Sequence, residues 1–175
     1  MFDKQIRLTG KHADYMRLYS KDKQGENTKY FDLDDGEGVK VRCYVFDTLI
    51  QCYMCAAMIG IINNKSVEPD YTKTTSANIF ADAVNKNRDN LMRIYYHMVL
   101  SIDKDLDIDA RIKKAFSVSK ENANEEEQRL DSFVRGGLEI INDHFENCNT
   151  LEKFANTIYD LCDEYNFKNI SLKKN

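Results

Sequence analysis

The segment from residue 49 to residue 62 is apolar on nearly every helical face, and it constrains the fold more than any other part of the chain. It reads LIQCYMCAAMIGII, with Asp47 or Thr48 in front of it as a helix cap and Asn63 behind it. A helix without a polar face is expected in the interior of a fold, because elsewhere it would expose apolar surface to water. The segment is too short to cross a bilayer, which needs about 20 residues. We therefore predict a compact domain around one central apolar helix, with no membrane contact.

Residues that break helices are scarce in the rest of the chain. Pro69 is the only proline among 175 residues, and there are seven glycines. Because proline breaks helices and glycine weakens them, this composition favours long helices over a loop-rich β-sandwich. We predict an all-α fold of about six or seven helices, in a single domain over residues 1–175. Apolar residues at helical spacing place the helices at about residues 5–20, 47–63, 75–86, 88–102, 110–116, 124–145 and 150–165.

Three segments fall outside this helical pattern. Residues 21–38 contain three glycines and a run of acids, which predicts an acidic loop. Residues 39–45 alternate apolar and polar side chains, which predicts one short strand, although no partner strand is evident. The alternative for that stretch is an extended approach to the next helix. The basic tail, residues 166–175, is expected to fray.

The charge of the chain bears on nucleic-acid binding. The formal net charge is −4, whereas domains that bind a phosphate backbone are usually basic. A local basic excess near the N-terminus includes Lys4, Arg7, Lys11 and Arg17. We favour a solvated helix face for these residues, and a nucleic-acid-binding face is the alternative.

The five cysteines form an odd set, with no secretory signal in front of them. This is typical of reduced thiols in a cytosol, so we expect a cytoplasmic protein. Cys52 and Cys55 lie inside the apolar helix, where burial favours core packing over redox chemistry. His144 and Cys148 could complete a zinc set by ligand type, but they are far from Cys55 along the chain, whereas zinc motifs keep their halves about 12–20 residues apart. We predict no metal and no cofactor.

No catalytic motif stands out. The aspartates at positions 103, 105, 107 and 109 resemble the start of a calcium loop, but the glycine and glutamate that such a loop requires are missing. We interpret them as a turn and an acidic helix start that complements the dipole of the short helix after it. Nucleophile-elbow, phosphate-loop and zinc-protease motifs are absent from the sequence. We therefore expect a protein that is not an enzyme.

Arg135, Gly136 and Gly137 are unusual inside a predicted helix. Two glycines in a helix interior cost about 2 kcal/mol relative to alanine. Three physical reasons could justify that cost: close approach of another helix backbone, a kink, or a surface where a partner comes near. We favour packing against the apolar helix, and Arg135 beside the glycines would then face a partner or a phosphate.

Four short motifs occur in order over residues 5–145. They are Ile6-Arg7 with Lys11-His12, CAAMIG at residues 55–60, Glu68-Pro69, and VRGGLEI at residues 134–140. The order and the residue types of these motifs make the chain similar to a group of small helical accessory proteins. These proteins are encoded with Dnd-type DNA phosphorothioate-modification and related prokaryotic anti-phage loci. The acidic insertion at 21–38, an extra segment at about 103–120 and the cysteines depart from that pattern.

The resemblance implies a bacterial cytoplasmic helper protein that acts with larger protein partners from the same locus on phage or modified DNA. We expect a non-catalytic accessory protein of an anti-phage or DNA-modification system. The alternative is a helical module that contacts DNA through its N-terminal basic face, and a small enzyme or zinc protein is least favoured. The candidate binding residues are Lys4, Arg7, Lys11, Arg17, Arg135, Gly136 and Gly137.

Overall fold

The computed structural model describes residues 1–21, 29–32, 40–119 and 121–165. Over these residues the chain is mainly helical, which confirms the coarse prediction. The seven helices are α1 Gly10–Tyr19, α2 Leu49–Ile62, α3 Ala81–Lys86, α4 Arg88–Ile102, α5 Ile108–Phe116, α6 Ala123–Phe145 and α7 Leu151–Glu164. The four strands are β1 Ile6–Thr9, β2 Lys29–Asp32, β3 Lys40–Cys43 and β4 Ser76–Ile79.

The prediction of an all-α fold with at most one short strand is confirmed only in its helical part, because the strands form two small antiparallel sheets. β1 pairs with β4, with Ile6 opposite Ile79, and β2 pairs with β3, with Lys29 opposite Cys43. Each strand has four residues, and β3 lies within the strand predicted at residues 39–45. The other three strands were not predicted, because four residues are too few to show a clear two-residue period.

Two predicted helices therefore begin later than expected. The helix predicted from residue 5 begins at Gly10, where a φ of 65° suits glycine and turns the chain out of β1. The helix predicted to open at Thr75 or Ser76 is preceded by β4 and begins at Ala81. Phe80 lies in extended conformation just before that helix and is 70% exposed.

The predicted acidic loop at residues 21–38 also contains a strand. β2 lies within it and supplies the partner that the strand predicted at residues 39–45 lacked. The remainder of this segment, residues 22–28 and 33–39, and the tail 166–175 lie outside the described residues.

α2 follows its predicted bounds closely. The Thr48 side chain accepts a hydrogen bond from the Gln51 amide at 3.3 Å, and the Asn63 amide donates to the carbonyl of Ile59 at 3.1 Å. α2 contacts α1, α4, α6 and β4. Within the described part of the chain, no helix combines the length and apolarity needed to cross a membrane.

The backbones of α2 and α6 approach each other closely at two glycines, and a third glycine of α6 lies against the loop after α2. A Cβ atom added to Gly137 would lie 1.9 Å from the Ala56 carbonyl oxygen, and one on Gly60 would lie 2.0 Å from the Phe133 carbonyl oxygen. A Cβ atom on Gly136 would lie 1.9 Å from the carbonyl oxygen of Lys65, in the loop after α2. These glycines thus have a steric reason within the chain itself. We call the contact between Ala56, Gly60, Phe133 and Gly137 the glycine seam.

Candidate functional site

A cleft of about 800 Å³ opens between β1, the loop after α2 and helix α6. This volume lies in the range of about 300–1,000 Å³ that is typical of ligand sites. Three arginines and three carboxylates line the cleft, together with Tyr71 and Gln128. These charged residues are Arg7, Glu68, Glu125, Arg129, Asp131 and Arg135. We call this site the polar cleft.

The polar cleft is built on regular elements that are fastened together. Glu125, Gln128, Ser132 and Arg135 follow one another at three- or four-residue spacing, so they form a stripe on one side of α6. The Val67 amide donates to the Ser132 carbonyl at 3.0 Å, which holds the loop after α2 against this helix. The third wall is β1, held by its pairing with β4. The lining side chains of α6 and β1 are therefore placed by helical or paired backbone, whereas Glu68 and Tyr71 come from the loop that Val67 attaches to α6.

Arg135 is almost buried but only partly hydrogen-bonded. Its side chain lines the cleft, 8% of the residue is exposed, and its Nε donates to the Val67 carbonyl at 2.6 Å. No described residue makes a hydrogen bond or ion pair with its Nη1 or Nη2. Burial lowers the pKa of Arg135, and the charges of Asp131 and Glu68 oppose that shift. Nη1 and Nη2 are not among the fully buried atoms without a partner, so this end of the guanidinium keeps exposed surface, and a ligand in the cleft can pair with it.

Asp131 lies four residues before Arg135 and also faces the cleft. The Tyr53 hydroxyl donates to its Oδ1 at 2.7 Å, and Tyr53 itself is 1% exposed. Burial raises the pKa of Asp131 to about 6, although the Tyr53 hydrogen bond and the charge of Arg135 both lower it. The carboxyl group therefore pays a desolvation cost that its partners do not fully offset.

Arg129 lines the same cleft, but both of its terminal nitrogens are paired with carboxylates of the chain. Its guanidinium makes two hydrogen bonds with Asp103, one of 3.1 Å from Nη1 to Oδ2 and a shorter one from Nη2 to Oδ1. Lys114 Nζ lies 2.8 Å from Asp103 Oδ2 and 3.1 Å from Glu126 Oε1. Burial alone would raise the pKa of Asp103, but the bonds from Arg129 and Lys114 hold it below its ordinary value. We call these four residues the Asp103 cluster.

The interpretation of the acidic repeat at positions 103–109 needs a correction at its first member. Asp107 accepts a hydrogen bond from the Ala110 amide at 2.8 Å, so it caps α5. Asp103, in contrast, is 7% exposed and belongs to a buried ion cluster with α5 and α6. The repeat therefore combines a helix cap with a tertiary contact.

The candidate N-terminal basic residues do not form one free face. Lys4 and Arg7 are exposed, and only Arg7 lines the polar cleft. Lys11 Nζ lies 2.7 Å from Glu139 Oε1, so that ion pair neutralises its charge. Arg17 is half-buried and interacts within the chain. Gly136 and Gly137 are buried against the chain's own backbone, so among the candidates Arg7 and Arg135 alone meet at the cleft.

A second charged contact lies one helical turn beyond Arg135. Glu139 bonds Lys11 and, at 3.1 Å, Lys65, and its Oε1 lies 3.5 Å from Nε2 of the fully buried His12. Burial lowers the pKa of His12, although Glu139 opposes the shift. The contact fastens α1 and the loop after α2 to α6. Sequence reasoning missed both Glu139 and Asp131, although their four-residue spacing around Arg135 was a readable signal.

The cysteines and histidines do not assemble a metal site among the described residues, where no group of three or more metal-ligating side chains occurs. Cys52 is fully buried, and burial raises the pKa of the Cys55 thiol to about 11. Cys148 Sγ contacts Thr157 Oγ1 at 3.3 Å, while His144 Nε2 lies 3.6 Å from Glu164 Oε2. The two halves of the considered zinc set thus have separate neighbours.

Comparison of the chain with protein-family models, with curated proteins and with solved structures finds no match.

Proposed function

We propose that this chain is a non-enzymatic accessory protein that binds a larger partner protein through the polar cleft. The observation that carries the proposal is Arg135, whose buried guanidinium has terminal nitrogens without partners among the described residues. A protein keeps such a group at a stability cost, and functional sites are where such costs are commonly retained. We further propose that the chain acts in the cytoplasm, as a component of a prokaryotic anti-phage or DNA-modification system.

The surroundings of Arg135 support a binding role. The glycine seam fixes α6 against α2, and Val67 anchors Nε, so the guanidinium is held in place before any partner arrives. Side chains ordered in advance lose less conformational entropy on binding. The mixed charges of the cleft suit recognition of one partner, because charge complementarity contributes mainly to specificity and association rate.

The resemblance to accessory proteins of anti-phage loci supports the setting more than the site. Two of its motifs, CAAMIG at residues 55–60 and VRGGLEI at residues 134–140, contain the small residues of the glycine seam. Because these residues pack two helices together, the motifs support a fold shared with those accessory proteins. The polar cleft, by contrast, is the feature that bears on the partner.

The alternative of a nucleic-acid-binding module stays a prediction. Lys4 and Arg7 are exposed, but Lys11 is paired with Glu139, and carboxylates line the cleft beside Arg7. A phosphate backbone is bound best where several unpaired cations lie together. The mixture of paired cations and nearby carboxylates favours a protein partner over DNA.

The test is co-purification of the tagged chain with the products of the neighbouring genes. We expect wild-type protein to capture one of them, Arg135→Gln to reduce the capture about tenfold, and Arg88→Gln to leave it unchanged. Arg88 is the matched control because it is exposed at the start of α4, away from the cleft. Failure to capture any neighbouring product, equal capture by Arg135→Gln, or a robust hydrolase activity would contradict the proposal.

A DNA titration tests the alternative in parallel. Binding of duplex DNA at low salt that weakens steeply as salt rises, and that is lost in a Lys4→Gln/Arg7→Gln variant, would favour the nucleic-acid module over the protein partner. Absence of binding at low salt ends that alternative.

A further inference from the structure

We propose that the ligand group taken by the polar cleft is a carboxylate, presented by a peptide segment that carries a positive charge next to it. This inference rests on the proposed function, because it names the chemistry by which the partner is recognised. Arg135 binds the carboxylate, and the acidic residues of the cleft bind the neighbouring cation.

The guanidinium of Arg135 has two terminal nitrogens available to a ligand. Its Nε is occupied by the Val67 carbonyl, which leaves the donors on Nη1 and Nη2. Two parallel N–H donors match the two oxygens of a carboxylate, and such bidentate pairs are among the stronger hydrogen bonds in proteins. Neither nitrogen is among the fully buried side-chain atoms without a partner, so both keep exposed surface, and a ligand in the cleft that Arg135 lines can reach them.

The polar cleft carries charges of both signs. Arg129 is neutralised by the Asp103 cluster, so Arg135 and Arg7 are the cations left to a ligand. Glu68, Glu125 and Asp131 face the same space. A phosphate dianion would meet these carboxylates with twice the repulsion of a single carboxylate. A ligand with one negative and one positive group fits a cleft in which both signs are present.

The cleft also offers an apolar and an amide side chain to a ligand. Tyr71 is 80% exposed and lines the cleft, so its ring offers an apolar surface to a ligand. Tyrosine at such a place contributes contact area with little loss of side-chain entropy. Gln128 is also exposed there, and its amide can both donate to and accept from a peptide backbone. The cleft therefore has the apolar and amide contacts of a peptide site in addition to its charges.

The experiment titrates the whole, isotope-labelled chain with short blocked peptides and follows the arginine side-chain resonances by NMR. The probe peptide has the sequence Lys-Glu-Lys, and the matched peptide is Lys-Gln-Lys. We expect saturable shifts of the Arg135 side-chain resonance with Lys-Glu-Lys, and affinity at least about tenfold weaker for Lys-Gln-Lys and for inorganic phosphate.

Three variants make the result specific. Arg135→Lys keeps the charge but loses the fork, so we expect weaker binding of Lys-Glu-Lys. Asp131→Asn removes a carboxylate beside Arg135 and keeps an acceptor for Tyr53. We expect Asp131→Asn to bind acetate more tightly than wild type, because acetate carries no cation for Asp131. Arg88→Gln, outside the cleft, should behave as wild type.

Equal binding of the two peptides, tighter binding of phosphate, or no saturable shift at Arg135 overturns the inference. Its failure is distinguishable from failure of the proposed function. Capture of a partner that depends on Arg135, without carboxylate binding, rejects the ligand chemistry and keeps the interaction protein. Carboxylate binding without any captured partner rejects the interaction protein and keeps the ligand chemistry.

Discussion

On the side of α6 that faces α2, the backbone contact at Gly137 leaves no space for a side chain. On the side that lines the polar cleft, Arg135 is only partly hydrogen-bonded. Gly137 lies against the Ala56 carbonyl so closely that a methyl group would overlap it. Arg135, two residues earlier, has one hydrogen bond, to Val67, and no partner for its terminal nitrogens among the described residues. The same helix therefore combines a closed apolar contact with an incompletely satisfied polar one.

Stability and recognition are therefore assigned to different sides of α6. The glycine seam fixes the distance between two helices by backbone contact, and close packing of this kind tolerates little change of volume. The cleft side contains a buried cation and a carboxyl group whose pKa burial raises to about 6. Substitutions on the seam should therefore affect folding, and substitutions at Arg135 should affect binding.

Gly137→Ala should have the largest effect on stability. The added Cβ would lie 1.9 Å from a backbone oxygen of α2, so relief requires the two helices to separate along their contact. We expect a loss of at least about 4 kcal/mol in the free energy of unfolding, or failure to fold. Urea unfolding followed by circular dichroism measures it. The control is Asp143→Ala on the exposed side of α6, expected within about 0.5 kcal/mol of wild type. A Gly137→Ala protein as stable as this control would refute the seam.

Arg129→Met should have the next largest effect on stability. Asp103 is nearly buried, and the substitution removes the side chain that donates two hydrogen bonds to it. We expect a loss of about 3 kcal/mol, as is typical when one member of a buried ion pair is removed. Lys114 keeps its contact with Asp103 and limits the loss. In a double-mutant cycle with Asp103→Asn, the double variant should be more stable than the sum of the single effects predicts. Strict additivity would show that the pair does not interact.

Local sequence signals were enough for the parts of the fold that depend on local structure. Thr48, one of the two residues predicted to cap α2, does so, and Thr150 caps α7 at the predicted start of that helix, because an N-cap needs only a short oxygen-bearing side chain before a helix. The predicted bounds of α6 agree closely with Ala123–Phe145, since its apolar stripe is long and regular. The β1–β4 sheet was missed because Ile6 and Ile79 pair across the chain with no local sign, and in the other sheet the strand at residues 39–45 was predicted but its partner β2 was not.

The candidate site was predictable only in part, for the same physical reason. Arg135 attracted attention because two glycines follow it, and those glycines serve the contacts with α2 and Lys65. The sequence could not show that Lys11 is neutralised by Glu139, or that Asp131 is desolvated beside Tyr53. Whether a charge is free or paired depends on tertiary contacts, which a single sequence does not contain.

Asp131→Asn should change stability by a smaller amount and in the opposite direction. Burial raises the pKa of Asp131 to about 6, above the value of about 3.9 expected in the unfolded chain. Between these values the native state binds the proton more tightly, so this contribution to stability falls as pH rises through the window and is lost above it. Asparagine keeps an acceptor for Tyr53 and cannot ionise. We therefore expect a gain of about 2 kcal/mol at pH 7, with little difference near pH 4.

Urea unfolding of wild type and Asp131→Asn at several pH values between these limits measures the difference. Asp143→Asn, on the exposed side of the same helix, is the matched control and should follow the wild-type pH profile. A difference between wild type and Asp131→Asn that does not grow with pH would mean that the Asp131 carboxyl is not desolvated.

Arg135→Gln should have the smallest effect on stability, and this completes the contrast with Arg129. The substitution removes the Nε–Val67 hydrogen bond, which costs about 1 kcal/mol, but it also relieves the burial of a charge whose terminal donors lack partners among the described residues. The two terms oppose each other, so we expect a change within about 1 kcal/mol by urea unfolding, together with the loss of partner capture. A loss as large as that of Arg129→Met would mean that Arg135 holds the fold together as Arg129 does. Retained stability with lost capture would separate the two arginines, one as part of the folded core and the other as the contact for a partner.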